Sequence, residues 1–466
     1  MRKNIYKTKL LCYNIYCINI YYYMGKEGSR MKRILLLIMT AVIICVCGSC
    51  SMTGSDYTAY LTAPKATGDM TEIADAFYDF AGDDILLSYP KRGDHLSAFV
   101  LEDIDGDGSK EAIVFYTKSN AEKGVAPIHI NIVDRTQSGW ASVDDIAATS
   151  NAVDMVAFSD VSGNGTKEIV VGMTSISKNE NLLSLYSFKN GRLSLMVQEN
   201  YTDFILCNLT ENEPDDLLIV NLKSAEKEAT AKLYTVTNNE LVLNGTAYLD
   251  GNVTGYAKLQ QAKVGNKSAV YIDAYKGTTS MVTDIVYVEE GKIVNPFVSN
   301  AHTENEFTLR YSTETCRDFD GDGNIDIPFT RLLPGFELRV SSERAYLTVW
   351  REFDGALFSD KYCGYINYND GYMIRYPTEW TDTVTITRDS SSHLLNFGVY
   401  DPILRVVSSE LVRIKRYSID DYDQLDQSIF IELARQDTYV FVARIVNTTS
   451  EYSVDEQTLK SMFSLI

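Results

Sequence analysis

Three short loops place acidic side chains at a fixed spacing, and they carry the clearest chemistry in the chain. They span residues 103–111, 160–168 and 318–326. Each has oxygen-bearing side chains at loop positions 1, 3, 5 and 9, and glycine at positions 4 and 6. Hard cations such as Ca²⁺ take oxygen ligands, and glycine allows a tight turn to close around an ion. The spacing therefore predicts cation-binding loops.

The segments around these loops predict strands. An apolar stretch rich in β-branched residues follows each loop, at 112–115, 169–171 and 327–329. Between the loops, alternating apolar segments end at turn signals such as Asn190-Gly191 and Glu290-Gly291, which favour hairpins. No helical periodicity is evident between about 97 and 360. The sequence thus predicts a series of β-rich units with one loop each.

The starting points of the loops indicate a repeat. They begin at residues 103, 160 and 318, and the longer gap holds weaker copies. One copy, at 208–216, keeps polar side chains at the four ligand positions but has Glu in place of both glycines. A fainter trace lies near 260–268. The spacing between successive starting points is typical of one propeller blade, which favours a radial β-propeller.

The pattern resembles the FG-GAP/VCBS repeats of integrin-α-like β-propellers, over about residues 97–362. In that family the calcium loop lies between the first two strands of a blade. The resemblance implies Ca²⁺ as the bound ion and a mainly β fold of about five to seven blades. It implies three sets of metal-binding residues: Asp103, Asp105, Asp107, Ser109 and Glu111; Asp160, Ser162, Asn164, Thr166 and Glu168; and Asp318, Asp320, Asp322, Asn324 and Asp326.

Within these sets, Ser109 and Asn324 are expected to contribute backbone carbonyl oxygens. The second set is the poorest because Ser162 replaces a carboxylate. EF-hand loops are excluded because they need a bidentate Glu at position 12 and flanking helices, and position 12 is here Val or Phe. Dockerin loops fail as well, since they are closely paired and followed by helices. Solvated Asp/Gly turns without an ion remain the alternative.

The amino-terminal segment predicts the compartment. A basic start at 31–33 precedes a largely apolar stretch at 34–46, and small residues lead to Cys50, as in a secretory signal. This resembles a bacterial lipobox, which implies that Cys50 carries a lipid, although Cys47 departs from the usual residue three positions earlier. An uncleaved membrane anchor is the alternative. Both place the rest of the chain outside the cytoplasm, lipid-anchored at the bacterial cell membrane in the first case.

Composition excludes several functions. Residues 1–30 fit no targeting signal, so we interpret them as an upstream extension before a start at Met31. Beyond residue 49 the chain has 35 Lys/Arg and 62 Asp/Glu, a formal charge of −27 against −20 for the whole sequence. Such a charge disfavours nucleic acid as a partner. The remaining cysteines are widely spaced and predict neither a disulfide framework nor a zinc site: Cys207, Cys316 and Cys363.

The flanks of the repeat region differ from it. Residues 51–96 are expected to form a tether and a short helical lead-in, since apolar residues share one helical face between 69 and 80. From 363 to 466, a Tyr-Pro-x-x-Trp motif ending at Trp380 precedes a strand-rich run. This resembles the PsbP/Mog1-like α+β fold, a small sandwich domain whose members mostly bind or assist assembly. A sixth propeller unit with an irregular tail is the alternative.

Catalytic motifs are not recognisable in the sequence. The four histidines do not pair at metal-ligand spacing, and Gly-x-Ser-x-Gly, phosphate-loop, Rossmann and zincin motifs are absent. We therefore predict a non-enzyme: a membrane-anchored, calcium-stiffened binding or adhesion scaffold for a protein or polysaccharide at the cell surface. The alternatives are an envelope assembly factor that acts through the carboxyl-terminal domain, or a polysaccharide-active hydrolase or lyase that uses a carboxylate pair.

Overall fold

The computed structural model describes residues 69–119, 127–148, 150–175, 180–212, 214–237 and 240–466. The chain divides into two units, Met1–Thr71 and Glu72–Ile466, and the second contains nearly all described residues. The predicted upstream extension, signal segment, lipidated Cys50 and most of the tether lie outside the described residues. Among the described helices, none is long and apolar enough to cross a membrane.

A helix, α1 (Asp69–Ala81), precedes the first sheet. Ile73 and Phe77 lie four residues apart, which places them on one helical face, and both are buried. The ring of Phe77 meets the rings of Phe99 and Tyr116 edge to face, with centroids 5.5 and 5.3 Å away. The apolar face of α1 therefore packs on the first sheet.

Four antiparallel sheets follow, each made of strands that are consecutive in the chain. In the first sheet, β1 and β2 lie end to end along β3, so its edge strand is split. The strands are β1 (Ile85–Leu87), β2 (Phe99–Glu102), β3 (Glu111–Lys118), β4 (His129–Thr136) and β5 (Gly139–Ala147); β6 (Ala152–Ser159), β7 (Glu168–Ser175), β8 (Glu180–Lys189) and β9 (Arg192–Asn200); β10 (Asp203–Cys207), β11 (Asp216–Asn221), β12 (Thr230–Thr237) and β13 (Glu240–Tyr248); and β14 (Gly255–Val264), β15 (Lys267–Tyr275), β16 (Met281–Glu289) and β17 (Lys292–Val294).

Two further sheets complete the described chain. The fifth contains β18 (Asp326–Leu332), β19 (Tyr346–Phe353), β20 (Phe358–Asn367) and β21 (Tyr372–Arg375), joined by β27 (Phe463–Leu465). The sixth has the order β22-β23-β24-β26-β25, from β22 (Val384–Asp389), β23 (Leu394–Asp401), β24 (Val406–Ser418), β25 (Ile431–Arg435) and β26 (Tyr439–Ile445). A short helix, α2 (Ile419–Tyr422), lies between β24 and β25, and another, α3 (Glu456–Met462), lies between β26 and β27. The protein is mainly β.

The first five sheets pack consecutively through alternating side chains. On β7, Ile169 and Val171 join a core cluster with the first sheet, whereas Val170 joins a cluster with the third sheet. Two more clusters join the third sheet to the fourth and the fourth to the fifth. This follows from the two-residue period of a strand, which turns successive side chains to opposite faces. The segment 169–171 of β7 is apolar on both faces because both are covered.

The fifth and sixth sheets share one core. Trp380 lies in it with Leu347 of β19 and Phe397 of β23, and its Nε1 donates a 2.8 Å hydrogen bond to the carbonyl of Tyr452. The boundary predicted at 362–363 falls inside β20, which pairs with β19 up to Gly364 and with β21 from Gly364 onward. The predicted boundary therefore divides a single strand, because a strand that changes partner carries no local turn signal.

Candidate metal centres

Three of the acidic loops occupy equivalent places in the fold. Residues 103–110 connect β2 to β3, 160–167 connect β6 to β7, and 208–215 connect β10 to β11. The segment 318–325 follows an isolated bridge at Arg317 and leads into β18. The faint trace near 260–268 holds no acidic loop, because β14 and β15 are joined there by two residues. The loops at 103–110, 160–167 and 208–215 thus enter an interior strand of their sheet, whereas the loop at 318–325 enters β18 at the edge of its sheet.

The carboxylate at position 9 makes the same contact in all four loops. It belongs to the first residue of the entered strand, it is buried, and one of its oxygens accepts a hydrogen bond from the backbone N–H at loop position 2. The acceptors are Glu111, Glu168, Asp216 and Asp326, the donors are Ile104, Val161, Leu209 and Phe319, and the N···O distances are 2.8, 3.0, 2.8 and 3.0 Å respectively. This bond ties each loop to its strand.

The aspartate at position 1 closes the turn. Asp103 accepts hydrogen bonds from the backbone N–H groups of Gly106 and Gly108, at 2.8 and 3.1 Å. Both glycines have positive φ, 78° and 89°, which other residues adopt only with strain. Asp318 accepts equivalent bonds from Gly321 and Gly323, at 2.7 and 3.0 Å. The sequence interpretation of these glycines is therefore supported by the backbone geometry.

Two of the loops bring three carboxylates together. In the first, ligand oxygens of Asp103, Asp105 and Glu111 lie within 4.8 Å of one another, and in the third those of Asp318, Asp320 and Asp326 do. Glu111 is 0% exposed, and its Oε1 has no hydrogen-bond partner. Burial, with the nearby charges of Asp105 and Asp103, raises the pKa of Glu111 to about 7. A buried, unpartnered carboxylate oxygen beside two further carboxylates fits a hard cation.

The position 5 carboxylates lie outside both clusters. Asp107 accepts a 2.7 Å hydrogen bond from the backbone N–H of Ser109, and Asp322 accepts one of 2.9 Å from Asn324. Asp322 also contacts Lys361, as described next. Of the predicted ligand sets, the structure therefore brings together positions 1, 3 and 9 in the first and third loops.

A lysine side chain from another strand contacts the third loop, and the loop spacing did not indicate this contact. Lys361 Nζ on β20 lies 2.8 Å from Asp322 Oδ2 and 2.9 Å from Glu352 Oε2. The hydrogen bond from Lys361 holds the pKa of Asp322 below its usual range. Burial raises the pKa of Asp326 at the base of the same loop. Lys361 thus partly neutralises the loop from outside.

The second loop satisfies its buried carboxylate without an ion. The Ser162 hydroxyl donates a 2.7 Å hydrogen bond to Glu168 Oε1, and the Ser162 backbone N–H donates one of 3.0 Å to Oε2. Asn164 accepts a 2.9 Å hydrogen bond from the Thr166 backbone N–H, and Asp160 closes the turn. The predicted second set therefore does not form a carboxylate cluster. In the weaker loop at 208–216, Thr210 donates to Asp216 in the same way as Ser162 does to Glu168.

Comparisons with known proteins add little. No family model and no curated protein matches the chain. Similar solved structures include an exotype rhamnogalacturonan lyase, YesX, at 10% identity and TM-score 0.24, covering 68% of this chain and 74% of that one. A periplasmic gluconolactonase of Pseudomonas aeruginosa, PpgL, has 12% identity and TM-score 0.27, covering 72% and 90%. Sqt1 of Chaetomium thermophilum has 10% identity and TM-score 0.29, covering 72% and 93%.

Proposed function

We propose that the first and third loops bind Ca²⁺ and that the ions stiffen the β-sheet array. Asp103, Asp105 and Glu111 would hold one ion. The observation that carries this proposal is the buried Glu111 Oε1. This oxygen has no hydrogen-bond partner, and the side chains beside it are two more carboxylates. A bound ion would offset the repulsion among them and fix the loop on the first residue of β3.

The equivalent residues of the third loop would hold a second ion: Asp318, Asp320 and Asp326. Lys361 already neutralises part of the negative charge of this loop, so we expect the third loop to bind Ca²⁺ more weakly than the first. The second loop is proposed to remain free of metal, because Ser162 supplies the hydrogen bonds that Glu168 needs. The second loop therefore serves as an internal control for the two proposed calcium sites.

We further propose that the first five sheets are blades of an FG-GAP-type β-propeller, followed by a PsbP/Mog1-like α+β domain. The support is that the strands of four sheets follow chain order and that neighbouring sheets pack consecutively. In the first three sheets, an acidic loop also joins an edge strand to the strand beside it. Propeller blades have this order and packing. The sixth sheet, with helices α2 and α3, supplies the elements of a small α+β domain.

The function that fits these features best is that of an extracytoplasmic scaffold, lipid-anchored at Cys50, that holds a protein or polysaccharide. Extracellular calcium modules typically bind with Kd values of about 10⁻⁴ to 10⁻³ M, so sites of this kind fill outside the cell. Loops on rigid strands are the usual places for ligand contacts. Stiffened loops would present a preorganised surface to the ligand.

Thermal unfolding of the purified chain tests the calcium proposal. Tm is measured in 10 mM Ca²⁺, in 10 mM Mg²⁺ and in chelator for three proteins. These are the natural chain, the double variant Asp105→Asn with Asp320→Asn, and Asp160→Asn as the matched control in the second loop, which is proposed to bind no metal. At a Ca²⁺ concentration of 100 Kd, each site adds about 2.7 kcal/mol to the free energy of unfolding. We expect a Ca²⁺-selective rise in Tm that the double variant lacks and the control keeps. Equal Tm values in calcium and chelator would refute the proposal.

The scaffold proposal is tested in cells. Crosslinking on the surface of growing cells, followed by identification of the attached material, should recover a defined protein or polysaccharide with the natural chain. Recovery should decrease with the double variant and persist with Asp160→Asn. Equal recovery with both variants would show that ligand binding does not depend on the calcium loops.

A further inference from the structure

A basic groove lies on the outward face of the sixth sheet. Its volume is about 210 Å³, and its cationic side is formed by Arg413, Lys415 and Arg444. Tyr417 and Phe430 line the aromatic side. In a chain with a formal charge of −20, three cations that line one small groove are a local reversal of charge.

Strand register places the three cations together. Arg413 on β24 lies directly opposite Arg444 on β26, and Lys415 is two residues further along β24. Residues two apart on a strand share a face, and opposite residues have Cβ atoms about 4.5–5.5 Å apart. Two residues along a strand span roughly 6.6 Å. The cations are therefore spaced for the oxyanions of a single short ligand.

Two of the cations have no acidic partner. Arg413 forms an ion pair with Glu410, with Nε 3.1 Å from Oε2. Arg444 is exposed, and within the described residues its guanidinium makes no hydrogen bond or ion pair. Lys415 Nζ lies 4.4 Å from the centroid of the Tyr417 ring and makes no ion pair with any described residue. An anion in the groove would relieve the repulsion between Lys415 and Arg444.

The aromatic side indicates what carries the anion. The rings of Tyr417 and Phe430 meet edge to face with centroids 6.0 Å apart, and both are half-buried. Aromatic rings beside hydrogen-bonding cations offer an apolar surface and fixed polar contacts, the usual composition of a small-ligand site. The groove is small, so we expect it to contact one or two sugar units of a ligand.

We propose that the basic groove binds an anionic saccharide. Arg444 and Lys415 hold its oxyanion, which is a uronate carboxylate or a sugar phosphate, and the sugar ring lies against Phe430 and Tyr417. The guanidinium of Arg444 suits a two-oxygen contact with either anion. None of the calcium-loop residues lines the groove. The proposal therefore names a ligand class that does not depend on the calcium sites.

Calorimetric titration of the purified full-length chain in chelator tests it. The probes are tetragalacturonate, glucose 1-phosphate and neutral cellotetraose, and chelator removes calcium bound by either the loops or the probe. We expect saturable binding of one or both anionic probes, weaker at higher salt, and none of cellotetraose. The stronger anionic probe identifies the source of the oxyanion.

The double variant Arg444→Gln with Lys415→Gln should weaken that binding by roughly tenfold or more, the loss expected when a charged hydrogen bond is removed. Arg435→Gln is the matched control, because Arg435 is an exposed cation paired with Glu432 and does not line the groove. It should change the affinity less than twofold. Unchanged binding by the double variant, equal binding of cellotetraose, or no binding of either anionic probe at 10 mM would overturn the proposal. Unchanged Tm values of the variants show that a loss of binding is not a loss of fold.

Discussion

The Ser162 hydroxyl donates a 2.7 Å hydrogen bond to Glu168 Oε1, whereas the matching oxygen of Glu111 has no partner. The two carboxylates occupy the same loop position and accept the same backbone hydrogen bond from loop position 2. Loop position 3 is Asp105 in one loop and Ser162, the hydroxyl donor, in the other. Position 3 therefore decides whether the buried carboxylate is satisfied by the protein or left for a cation.

Converting Ser162 to Asp should create a third calcium site. In Ser162→Asp, Glu168 loses a hydroxyl donor and gains a neighbouring negative charge, so the calcium-free protein should unfold at a lower temperature. Added Ca²⁺ should restore Tm, and the calorimetric stoichiometry should rise from two ions to three. Ser162→Ala is the control: it loses the same hydrogen bond, at a cost of about 1–3 kcal/mol, but adds no ligand, so calcium should not rescue it. A stoichiometry that stays at two in Ser162→Asp would argue against position 3 as the determinant.

Lys361 should weaken calcium binding at the third loop. Its Nζ lies 2.8 Å from Asp322 Oδ2, and removing this charge leaves the loop more negative. Lys361→Gln, measured in an Asp105→Asn background that silences the first loop, should bind Ca²⁺ about two to five times more tightly, in keeping with the modest strength of surface ion pairs. Lys361→Arg keeps the charge and should retain the original Kd. If Lys361→Gln binds calcium more weakly, the lysine orders the loop rather than competing with the ion.

These loops also show how far sequence reasoning reaches. The glycine positions, the turn-closing Asp103 and the buried strand after it are all encoded in one contiguous segment, 103–118, and the structure has them as expected. Ser162 could be identified as a poor ligand for the same reason, because its chemistry is local. Lys361 could not, since it is 39 residues from Asp322 and reaches the loop only through the pairing of β20 with β19.

Contacts between distant segments set the remaining features as well. The change of partner within β20 depends on β21 and on the return of β27 from the end of the chain. The three cations of the basic groove come from two strands, and only the register of β24 with β26 places Arg444 opposite Arg413. Local spacing therefore predicts loops and strands, whereas sheet register forms the basic groove and places Lys361 beside the third loop.

Asp284 should make the calcium-free protein more stable at mildly acidic pH. Its side chain is fully buried, accepts hydrogen bonds from the Asp250 backbone N–H and the Asn305 side chain, and burial raises its pKa to about 6. The folded state therefore binds the Asp284 proton more tightly than the unfolded state, whose pKa is about 3.9. As the pH falls from 7 to 4, this group should add about 2 kcal/mol to the free energy of unfolding.

The measurement for Asp284 is the free energy of unfolding by urea in chelator between pH 4 and 7. Asp284→Asn cannot titrate, so its profile should be flatter by about that amount even if its stability is lower throughout. Asp94→Asn, at an exposed position, serves as the control and should leave the slope as in the natural chain. Parallel profiles for the natural chain and Asp284→Asn would show that another carboxyl group dominates the pH dependence.

Phe77 should account for much of the attachment of α1 to the first sheet. It is 0% exposed and its ring meets those of Phe99 and Tyr116, whereas Phe80 on the same helix is 52% exposed. Replacing a buried phenylalanine by alanine removes apolar contacts and leaves a cavity, so Phe77→Ala should lower the free energy of unfolding by about 3–5 kcal/mol. Phe80→Ala is matched in residue type and helix propensity and should change it by less than about 0.5 kcal/mol. Urea unfolding gives both values. Equal effects of the two variants would mean that the helix is held by contacts other than the buried ring, since only burial distinguishes the two phenylalanines.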